Sequence, residues 1–402
     1  MSLPPSASCF VFSQAGTPQQ AATVPLDLSS LEPGELLVRV DAATVCGSDV
    51  HTADGKRVDP AAPLVLGHEG CGTVVAGSAE SGCPPIAAGQ RVTWSVMASC
   101  GACAPCARLG LPQKCATALH KYGHAGFGTG GALRALSGCY STHILLRRGT
   151  CVVRLPDCVP DAVAAPANCA LATMCAATRA ARRALGRGEG GTEGEGDADA
   201  DALSGARVLV QGCGLLGLYA CALARAAGAA FVAATDVSAA RLELACRFGA
   251  HSAVSLAAGA SGLGPEAQLR EAGVANATAG DPFIGFDVVF EVCGVASAVR
   301  QALPLLRPGG ALVLVGLVHP QSDLAGITGE AIIRKCASVV GVHNYAPRDL
   351  RRAVDFLAAN IGVLPLSDIT SSPMPLSELP EAFELARTGR FARVLVLPQM
   401  LH

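Results

Sequence analysis

Four cysteines in one short run carry the strongest chemical signal in the chain. Cys100, Cys103 and Cys106 are separated by two residues each, and Cys115 follows after a short loop. Zinc prefers thiolates in a tetrahedral arrangement, and thiols at this spacing can close around one ion. A site saturated by four sulfurs has no free position for a substrate. The run therefore predicts a structural zinc site, with unligated intracellular thiols in a cysteine-rich loop as the alternative.

A second group of candidate ligands is spread over a longer stretch. Cys46 opens the run CGSDVH, His68 lies in GHEG, and Cys169 lies in NCALAT. Two thiolates and one imidazole leave the fourth position of a tetrahedral zinc free, as in catalytic sites where the ion acts as a Lewis acid on a substrate oxygen. Spacing alone leaves another interpretation open, because a lone cysteine or histidine is more often a core or surface residue than a ligand.

A glycine-rich turn predicts a nucleotide site. Gly212, Gly214 and Gly217 form GxGxxG between a strand-like run and a helix-like run, and Leu215 and Leu216 open that helix. The first glycine allows a tight turn, the second lets the backbone approach a pyrophosphate, and the third allows close packing of helix on strand. The helix N-terminus would face the phosphates with free amides. A plain strand–helix connection is the alternative.

The next strand-like run ends at an acidic residue. Asp236 lies 19 residues beyond Gly217, where a carboxylate can accept hydrogen bonds from the adenosine ribose of a dinucleotide. A 2′-phosphate would face a like charge there, so the position predicts NAD rather than NADP. Arg241, five residues later, could still reach a ribose or a phosphate.

The elements that must position these residues fall into two regions. Residues 1–178 hold short β-like runs punctuated by Gly and Pro, which predicts an irregular, mostly antiparallel β domain; residues 345–402 return to it with a helix and a final strand. Residues 179–344 alternate strand-like and helix-like runs, which predicts a doubly wound parallel sheet and an α/β protein. Within them, residues 186–204 are rich in Gly and acidic residues and predict a disordered insertion.

The bulk composition argues against several function classes. The 402 residues are 50% hydrophobic and 15% charged with a net charge of −2, which gives no reason to expect a nucleic acid or membrane partner. No apolar run reaches membrane-spanning length, and the first residues lack the pattern of a secretory signal or a transit peptide. The 18 cysteines are scattered through a chain long enough to form its own core, so a reducing, cytoplasmic location is expected.

Together these motifs resemble the zinc-containing medium-chain alcohol dehydrogenases. The matching runs are CGSDVH, GHEG, the four-cysteine run, GCGLLG and the later Asp236, and the resemblance covers the chain outside the acidic insertion. It implies a GroES-like catalytic domain and a Rossmann domain, a homodimer or homotetramer, and hydride transfer from a small alcohol to NAD+. It also implies two zinc ions per chain, the catalytic one held by Cys46, His68 and Cys169.

The same resemblance implies roles for four further residues. Glu69 would be the carboxylate beside the catalytic metal, and Thr173 would border the nicotinamide ring. Ser48 would hydrogen-bond the substrate oxygen, and His51 would pass its proton toward solvent. One rival hypothesis is a non-catalytic protein that binds NADH or senses redox state through its thiols. The proton relay of Ser48 and His51 argues against it, because such a protein has no use for a relay.

Three runs, RVTWSVMASCGACAPC, LPQKCATALHKYGH and PDAVAAPANCALAT, are most similar to the branch proposed to act in phosphonate catabolism. That label rests on gene context, so its substrate does not transfer. The gap from Cys106 to Cys115 is one residue longer than the family pattern, an addition that a loop can absorb. Sorbitol- and threonine-type relatives carry a Glu near position 169, where this chain has Cys169; Cys175 is a substitute ligand candidate.

Two rivals within the superfamily stay open. A zinc-free NADPH-dependent quinone or enoyl reductase would keep the nucleotide fold and lack the metal, and the joint presence of Cys46, His68, Glu69 and Cys169 argues against it. A polyol or threonine-type dehydrogenase would keep the chemistry and change the substrate.

Overall fold

The computed structural model describes residues 3–57, 62–78, 85–127, 131–187, 202–257, 267–269, 271, 285–318, 322–324 and 326–400. The chain divides into two compact units, Met1–Ala172 with Asn344–His402, and Thr173–His343. The first boundary lies six residues before the position expected from the sequence. Of the acidic run 186–204, residues 188–201 lie outside the described residues, so its expected disorder stays a prediction.

The strands are numbered along the chain. They are β1 Ser6–Phe12, β2 Gln20–Pro25, β3 Leu36–Val45, β4 Leu64–Val65, β5 Glu69–Gly77, β6 Arg91–Ala98, β7 His120–Lys121, β8 His143–Leu146, β9 Thr150–Arg154, β10 Arg207–Gln211, β11 Phe231–Asp236, β12 Ser252–Ser255, β13 Phe286–Glu291, β14 Leu306–Leu314, β15 Ser338–Gly341, β16 Met374–Pro375 and β17 Val394–Leu397.

The α-helices among the described residues are numbered in the same way. They are α1 Gly47–Ala53, α2 Ala104–Ala107, α3 Asp161–Ala164, α4 Ala172–Ala184, α5 Leu215–Ala226, α6 Ala239–Arg247, α7 Ala296–Leu305, α8 Gly329–Arg334, α9 Pro347–Asn360 and α10 Leu379–Arg387. None of these is long and apolar enough to cross a membrane. A π-helical stretch, Ala167–Leu171, precedes α4 directly.

The first unit contains an irregular and largely antiparallel sheet. Its strands run in the order β16-β17-β3-β5-β6-β7, with β8 added to β3 and β9 added to β6. A separate three-stranded sheet has the order β2-β1-β4. Most side chains of β3 are buried, and its run LLVRVDAATV supplies the β-branched and apolar residues that fill the core on either face. This confirms the irregular β domain predicted from the sequence.

The pairing of β3 with β5 brings two candidate ligands together. The strands are antiparallel, and Thr44 pairs with Glu69. Cys46 follows the end of β3 and His68 precedes the start of β5, so both lie at the same end of this strand pair. Residues 22 positions apart in the sequence thereby become neighbours through ordinary sheet register.

The second unit is a six-stranded parallel sheet in the order β12-β11-β10-β13-β14-β15. This is the doubly wound order 3-2-1-4-5-6, in which the strand order reverses beside the first strand. Every residue of β10 and β11 is buried, as expected for strands covered by helices on both faces. The strand–helix alternation predicted for this region is therefore confirmed.

Candidate active site

The described residues form two clusters of potential metal ligands. In one, the donor atoms of Cys46, His68, Glu69 and Cys169 all lie within 4.8 Å of one another. The other consists of the run of four cysteines, with the same property. These are the two groups that the sequence analysis singled out, and Cys175 belongs to neither.

The four-cysteine cluster has the dimensions of a tetrahedral sulfur site. The Sγ of Cys103 lies 3.4 Å from that of Cys106 and 3.9 Å from that of Cys115, and the Sγ atoms of Cys100 and Cys106 are 4.0 Å apart. Zn–S bonds of about 2.3 Å in tetrahedral geometry place sulfurs roughly 3.8 Å apart. The loop between Cys106 and Cys115 contains a 3-10 turn, Pro112–Lys114, and absorbs the extra residue.

Backbone amides favour thiolates in this cluster. The N–H groups of Cys100 and Ala118 donate to the Sγ of Cys115, and these bonds lower the pKa of that thiol to about 5. Burial raises the pKa of Cys106 to about 12, and its hydrogen bond with the Cys103 sulfur acts in the same direction. Sulfurs arranged in this way fit a zinc ion, which would deprotonate them all.

His68 is oriented by a buried carboxylate. Its Nδ1 lies 3.3 Å from Oδ1 of Asp49 in an ion-pair contact, and neither atom has another polar partner within the described residues. Oδ2 of Asp49 accepts from the hydroxyl of Tyr140 at 2.8 Å and from the N–H of Cys46 at 3.1 Å. This leaves Nε2 of His68 for a metal, the usual arrangement of a metal-binding histidine and its carboxylate.

The electrostatics of His68 also suit a cation. Burial opposes a positive charge on the ring, but Asp49 and the Cys46 sulfur outweigh it and raise the pKa of His68 well above its ordinary value. The site therefore has a negative potential that a zinc ion would neutralise. A stacked ring, His124, lies with its centroid 5.8 Å from that of His68.

Local backbone geometry places the ligands. Gly67, before His68, has φ of +93°, and a Cβ there would lie 3.0 Å from the ring of Tyr140, so both conformation and space require glycine. Cys169 lies in the π-helical stretch Ala167–Leu171. Single π-helical turns often occur at functional sites because they shift side chains out of the regular helical register.

The structure places the remaining predicted catalytic residues on two helices. Ser48 and His51 lie in α1, three positions apart, which puts them on one face of that helix. Burial, then the charge of Lys56, lowers the pKa of His51. Thr173 is buried in the first turn of α4, four residues after Cys169 in the chain.

The glycine-rich turn has the close packing expected of a phosphate-binding loop. Gly212 has φ of +100°, and a Cβ on Gly217 would lie 1.8 Å from the carbonyl oxygen of Gly212. Gly214 is the residue before α5, which begins at Leu215 and continues through Leu216. The turn thus leads from β10 directly into a helix N-terminus, where backbone amides can meet a phosphate.

Asp236 ends β11 beside this turn. Its Oδ2 accepts from the N–H of Cys213 at 2.7 Å and its Oδ1 accepts from the N–H of Ser238 at 2.9 Å. These bonds hold the carboxylate at the carboxyl end of the sheet, where doubly wound folds bind nucleotides. Arg241 lies in the first turn of α6.

Comparison with known proteins identifies the family. Residues 32–157 match the model of the alcohol dehydrogenase GroES-like domain, and residues 216–359 match that of the zinc-binding dehydrogenases. The chain is 26% identical to L-threonine 3-dehydrogenase of Bacillus licheniformis, covering 92% of this chain and 93% of that protein. It is 27% identical to D-arabitol-phosphate dehydrogenase of Enterococcus avium, covering 96% of each. The chain belongs to the zinc-containing medium-chain dehydrogenase family.

Solved structures agree with this assignment. Alcohol dehydrogenase from Thermotoga maritima superposes with a TM-score of 0.81 at 26% identity, covering 98% of this chain and all of that one. A zinc-binding dehydrogenase from Sinorhizobium meliloti 1021, bound to NADP, has a TM-score of 0.75 at 27% identity, with 98% and 99% coverage. The predicted combination of a GroES-like and a Rossmann domain is confirmed, and this medium-chain dehydrogenase is a zinc- and nicotinamide-dependent oxidoreductase.

Sequence reasoning missed Arg393, which contacts the ligand cluster of this dehydrogenase. Arg393 donates from Nε and Nη2 to the two oxygens of Glu69, at 2.7 and 2.8 Å, and its Nη2 also lies 3.4 Å from the Cys46 sulfur. Thr44 donates a further hydrogen bond to Glu69. Arg393 precedes β17, which pairs with β3, and its only sequence signal is a charge at the start of an apolar strand.

The same ion pair is buried, with Glu69 fully out of solvent and Arg393 8% exposed. Burial raises the pKa of Glu69 to about 7, although the Arg393 guanidinium acts in the opposite direction. Bidentate, charge-assisted contacts of this kind fix the orientation of the carboxylate and favour its ionised form. Glu69 is thereby held beside the other potential metal ligands, Cys46, His68 and Cys169.

Proposed function

We propose that the protein is a zinc-dependent alcohol dehydrogenase that transfers hydride from a small alcohol to NAD+. The observation that supports this best is the convergence of Cys46, His68 and Cys169, with Glu69 beside them, within 4.8 Å. Two thiolates and one imidazole suit a catalytic rather than a structural zinc, because they leave a position for substrate. A zinc ion held there would act as a Lewis acid and make the substrate hydroxyl easier to deprotonate.

The residues of the chain have separable tasks in this reaction. Ser48 takes the proton of the substrate hydroxyl, and His51 accepts it and releases it to solvent. The turn from Gly212 to Gly217 binds the pyrophosphate, and Asp236 binds the adenosine ribose. The protein supplies position and charge, while the cofactor carries the hydride.

The four-cysteine cluster holds a second, structural zinc in this proposal. The Sγ separations of 3.4–4.0 Å and the amide hydrogen bonds to the Cys115 sulfur support it. The protein would then bind two zinc ions per chain. A cytoplasmic location and a homodimer or homotetramer stay expectations from the sequence.

A dehydrogenase acting on a polyol or an amino alcohol is the second candidate. The names of the relatives favour it, since they include a threonine and an arabitol-phosphate dehydrogenase. By the resemblance, sorbitol- and threonine-type relatives carry a Glu where this chain has Cys169, and this difference favours a simple alcohol instead. The two candidates share the metal, the relay and the cofactor.

A substrate panel tests the proposed function. The protein, of measured zinc content, is incubated with primary, secondary, polyhydroxy and amino alcohols and with NAD+ or NADP+, and formation of the reduced nicotinamide is followed by absorbance. We expect oxidation of at least one simple alcohol with NAD+. Activity confined to threonine or polyols would favour the second candidate. Failure of fully zinc-loaded protein on every alcohol, and on the matching carbonyls with NADH, would refute both.

Replacing Asp236 by glycine is expected to relax the cofactor preference. The substitution weakens the binding of NAD+, because it removes charge-assisted hydrogen bonds to the ribose, worth about 1.5–3 kcal/mol each. It also favours NADP+, because the repulsion between the carboxylate and the 2′-phosphate is lost. The ratio of kcat/KM for NAD+ to that for NADP+ should fall roughly tenfold or more, at about 1.4 kcal/mol per factor of ten. Asp236→Asn, which keeps the shape of the side chain and one hydrogen-bond acceptor, is the control. Its ratio of kcat/KM for the two cofactors should fall less. An unchanged ratio in Asp236→Gly would show that this carboxylate does not select the cofactor.

Replacing His51 by glutamine is expected to slow turnover moderately and alter its pH dependence. A protonated imidazole cannot accept a proton, so wild-type turnover should decline as the pH falls through the pKa of His51, which burial lowers below its ordinary value. The variant should lose this acid limb. Its loss of kcat should be less than the roughly 100-fold typical of a direct proton donor, because water can take the proton from Ser48. Identical pH profiles for the two proteins would exclude His51 from the relay.

A further inference from the structure

A buried amide joins two of the segments that carry candidate ligands. Asn168 is fully buried, and its Nδ2 donates to the backbone oxygen of His68 at 3.0 Å and to that of Trp94 at 2.9 Å. Asn168 immediately precedes Cys169, and Trp94 lies in the middle of β6. One side chain therefore connects the backbone at the imidazole ligand with the backbone beside the second thiolate.

The amide group suits this task chemically. An asparagine nitrogen carries two hydrogens in one plane, so a single group can satisfy two carbonyl acceptors. Aspartate would oppose two carbonyl oxygens with a negative charge, and alanine would remove this donor from both. Leaving buried acceptors unsatisfied costs about 1–3 kcal/mol each. The two hydrogen bonds of Asn168 therefore favour asparagine at this position. They also fix the backbone at His68 and at Trp94 relative to the segment that carries Cys169.

A buried tyrosine also holds the segment that carries the Asn168 amide. The hydroxyl of Tyr345 donates to the backbone oxygen of Asn168 and accepts from the N–H of Val96 at 3.1 Å. Burial raises the pKa of Tyr345 well above its ordinary value, so the hydroxyl keeps its proton and remains a donor. Trp94, which accepts from Asn168, and Val96, which donates to Tyr345, both belong to β6. That strand is therefore a common support for the segments at His68 and at Cys169.

We propose that Asn168 and Tyr345 are positioning residues that preorganise the Cys46–His68–Cys169 cluster for its metal. This inference rests on the proposed zinc site. The Nδ2 of Asn168 and the hydroxyl of Tyr345 are both bonded to backbone groups. They act by holding the backbone of two ligand segments, 101 residues apart in the chain, at the separation that one ion requires. Groups that orient ligands in this way typically contribute 10–100-fold to metal affinity.

The test compares Asn168→Ala and Tyr345→Phe with matched controls in the same unit. Gln399→Ala removes a solvent-exposed amide that donates to two backbone carbonyls, those of Val40 and Thr142. Tyr122→Phe removes another buried tyrosine hydroxyl, bonded to Thr150 and to the N–H of Arg147. These four substitutions delete the same kinds of hydrogen bond, near the cluster or away from it.

The readouts are the rate of zinc release to a chromogenic chelator and the visible spectrum after replacement of zinc by Co2+. A Cys46→Ser protein should keep only the zinc of the four cysteines. Comparing it with wild type shows which phase of zinc release, and which Co2+ band, belongs to which site. We expect zinc release from the Cys46 cluster to accelerate roughly 10–100-fold in Asn168→Ala and by a smaller factor in Tyr345→Phe. The Co2+ bands of that cluster should shift in both. The controls should match wild type, and release from the four cysteines should not change.

The outcomes separate the inference from the proposed function. Wild-type protein with two metals, and unchanged release and Co2+ spectra in both variants, would overturn the positioning role alone. Equal acceleration by the controls would also overturn it, because the effect would then be general destabilisation. Wild-type protein that binds metal only in the four cysteines would overturn the proposed function and this inference together. If Asn168→Ala does not fold, as judged by thermal melting, Tyr345→Phe alone decides.

Discussion

Replacing Cys46 by serine is expected to abolish alcohol oxidation while NADH binding and one zinc per chain persist. A serine hydroxyl stays protonated at neutral pH, so the cluster loses a ligand and a negative charge at once. Lewis-acid stabilisation by a metal is worth several kcal/mol. At about 1.4 kcal/mol per factor of ten, kcat should fall roughly a thousandfold or more. Turnover, fluorescence titration with NADH and metal analysis are measured on the same sample.

Cys71→Ser is the matched control for this substitution. Cys71 is a buried cysteine of β5, two residues beyond Glu69, and its sulfur contacts the backbone oxygen of Asp161 rather than the cluster. We expect this variant to keep both metals and most of its activity. Full turnover by a Cys46→Ser protein that lacks the zinc of the Cys46–His68–Cys169 site would show that the reaction does not use this metal.

Replacing Arg393 by methionine is expected to give the largest loss of stability among the substitutions considered for the site. Arg393 and Glu69 are both buried and joined by two charge-assisted hydrogen bonds. Removing one member leaves an uncompensated charge out of water, which costs about 3–5 kcal/mol. Equilibrium unfolding in urea, monitored on protein with unchanged metal content, measures the loss.

A second substitution should restore much of this stability. In Arg393→Met/Glu69→Gln the buried charge is gone, and such paired replacements are often neutral for stability. Arg387→Met is the control, because its ion pair with Asp54 is partly exposed and should contribute only about 0–1 kcal/mol. A single Arg393→Met protein as stable as the Arg387→Met control would contradict the view that Arg393 compensates Glu69.

The parts of the fold that follow local rules were predictable from the sequence. Alternating apolar strands and helices in the second unit indicated a doubly wound sheet, and the observed order β12-β11-β10-β13-β14-β15 is of this type. Short β-like runs in the first unit indicated irregular antiparallel pairing, which the structure shows. Both predictions depend on hydrophobic periodicity and turn residues, which act over a few residues.

The parts of the site that depend on distant contacts were not predictable. Arg393 reaches Glu69 across 324 residues, and Asn168 reaches His68 across 100. Their residue types are common at many positions, and only the packing of β17 on β3 and of the π-helical stretch on β6 brings them to the cluster. Asp49 was quoted within a motif, but its buried contact with His68 is a tertiary feature. Such groups become visible only after the ligands they orient have been placed in space.

Zinc-edge anomalous diffraction from crystals of the protein tests the central claim most directly. The account predicts two peaks per chain, one among the four cysteines and one in contact with Cys46, His68 and Cys169. The second peak should show protein ligands on three sides and leave a coordination position for water or substrate. A crystal with a peak among the four cysteines and none at Cys46, His68 and Cys169, grown from catalytically active protein, would contradict the claim.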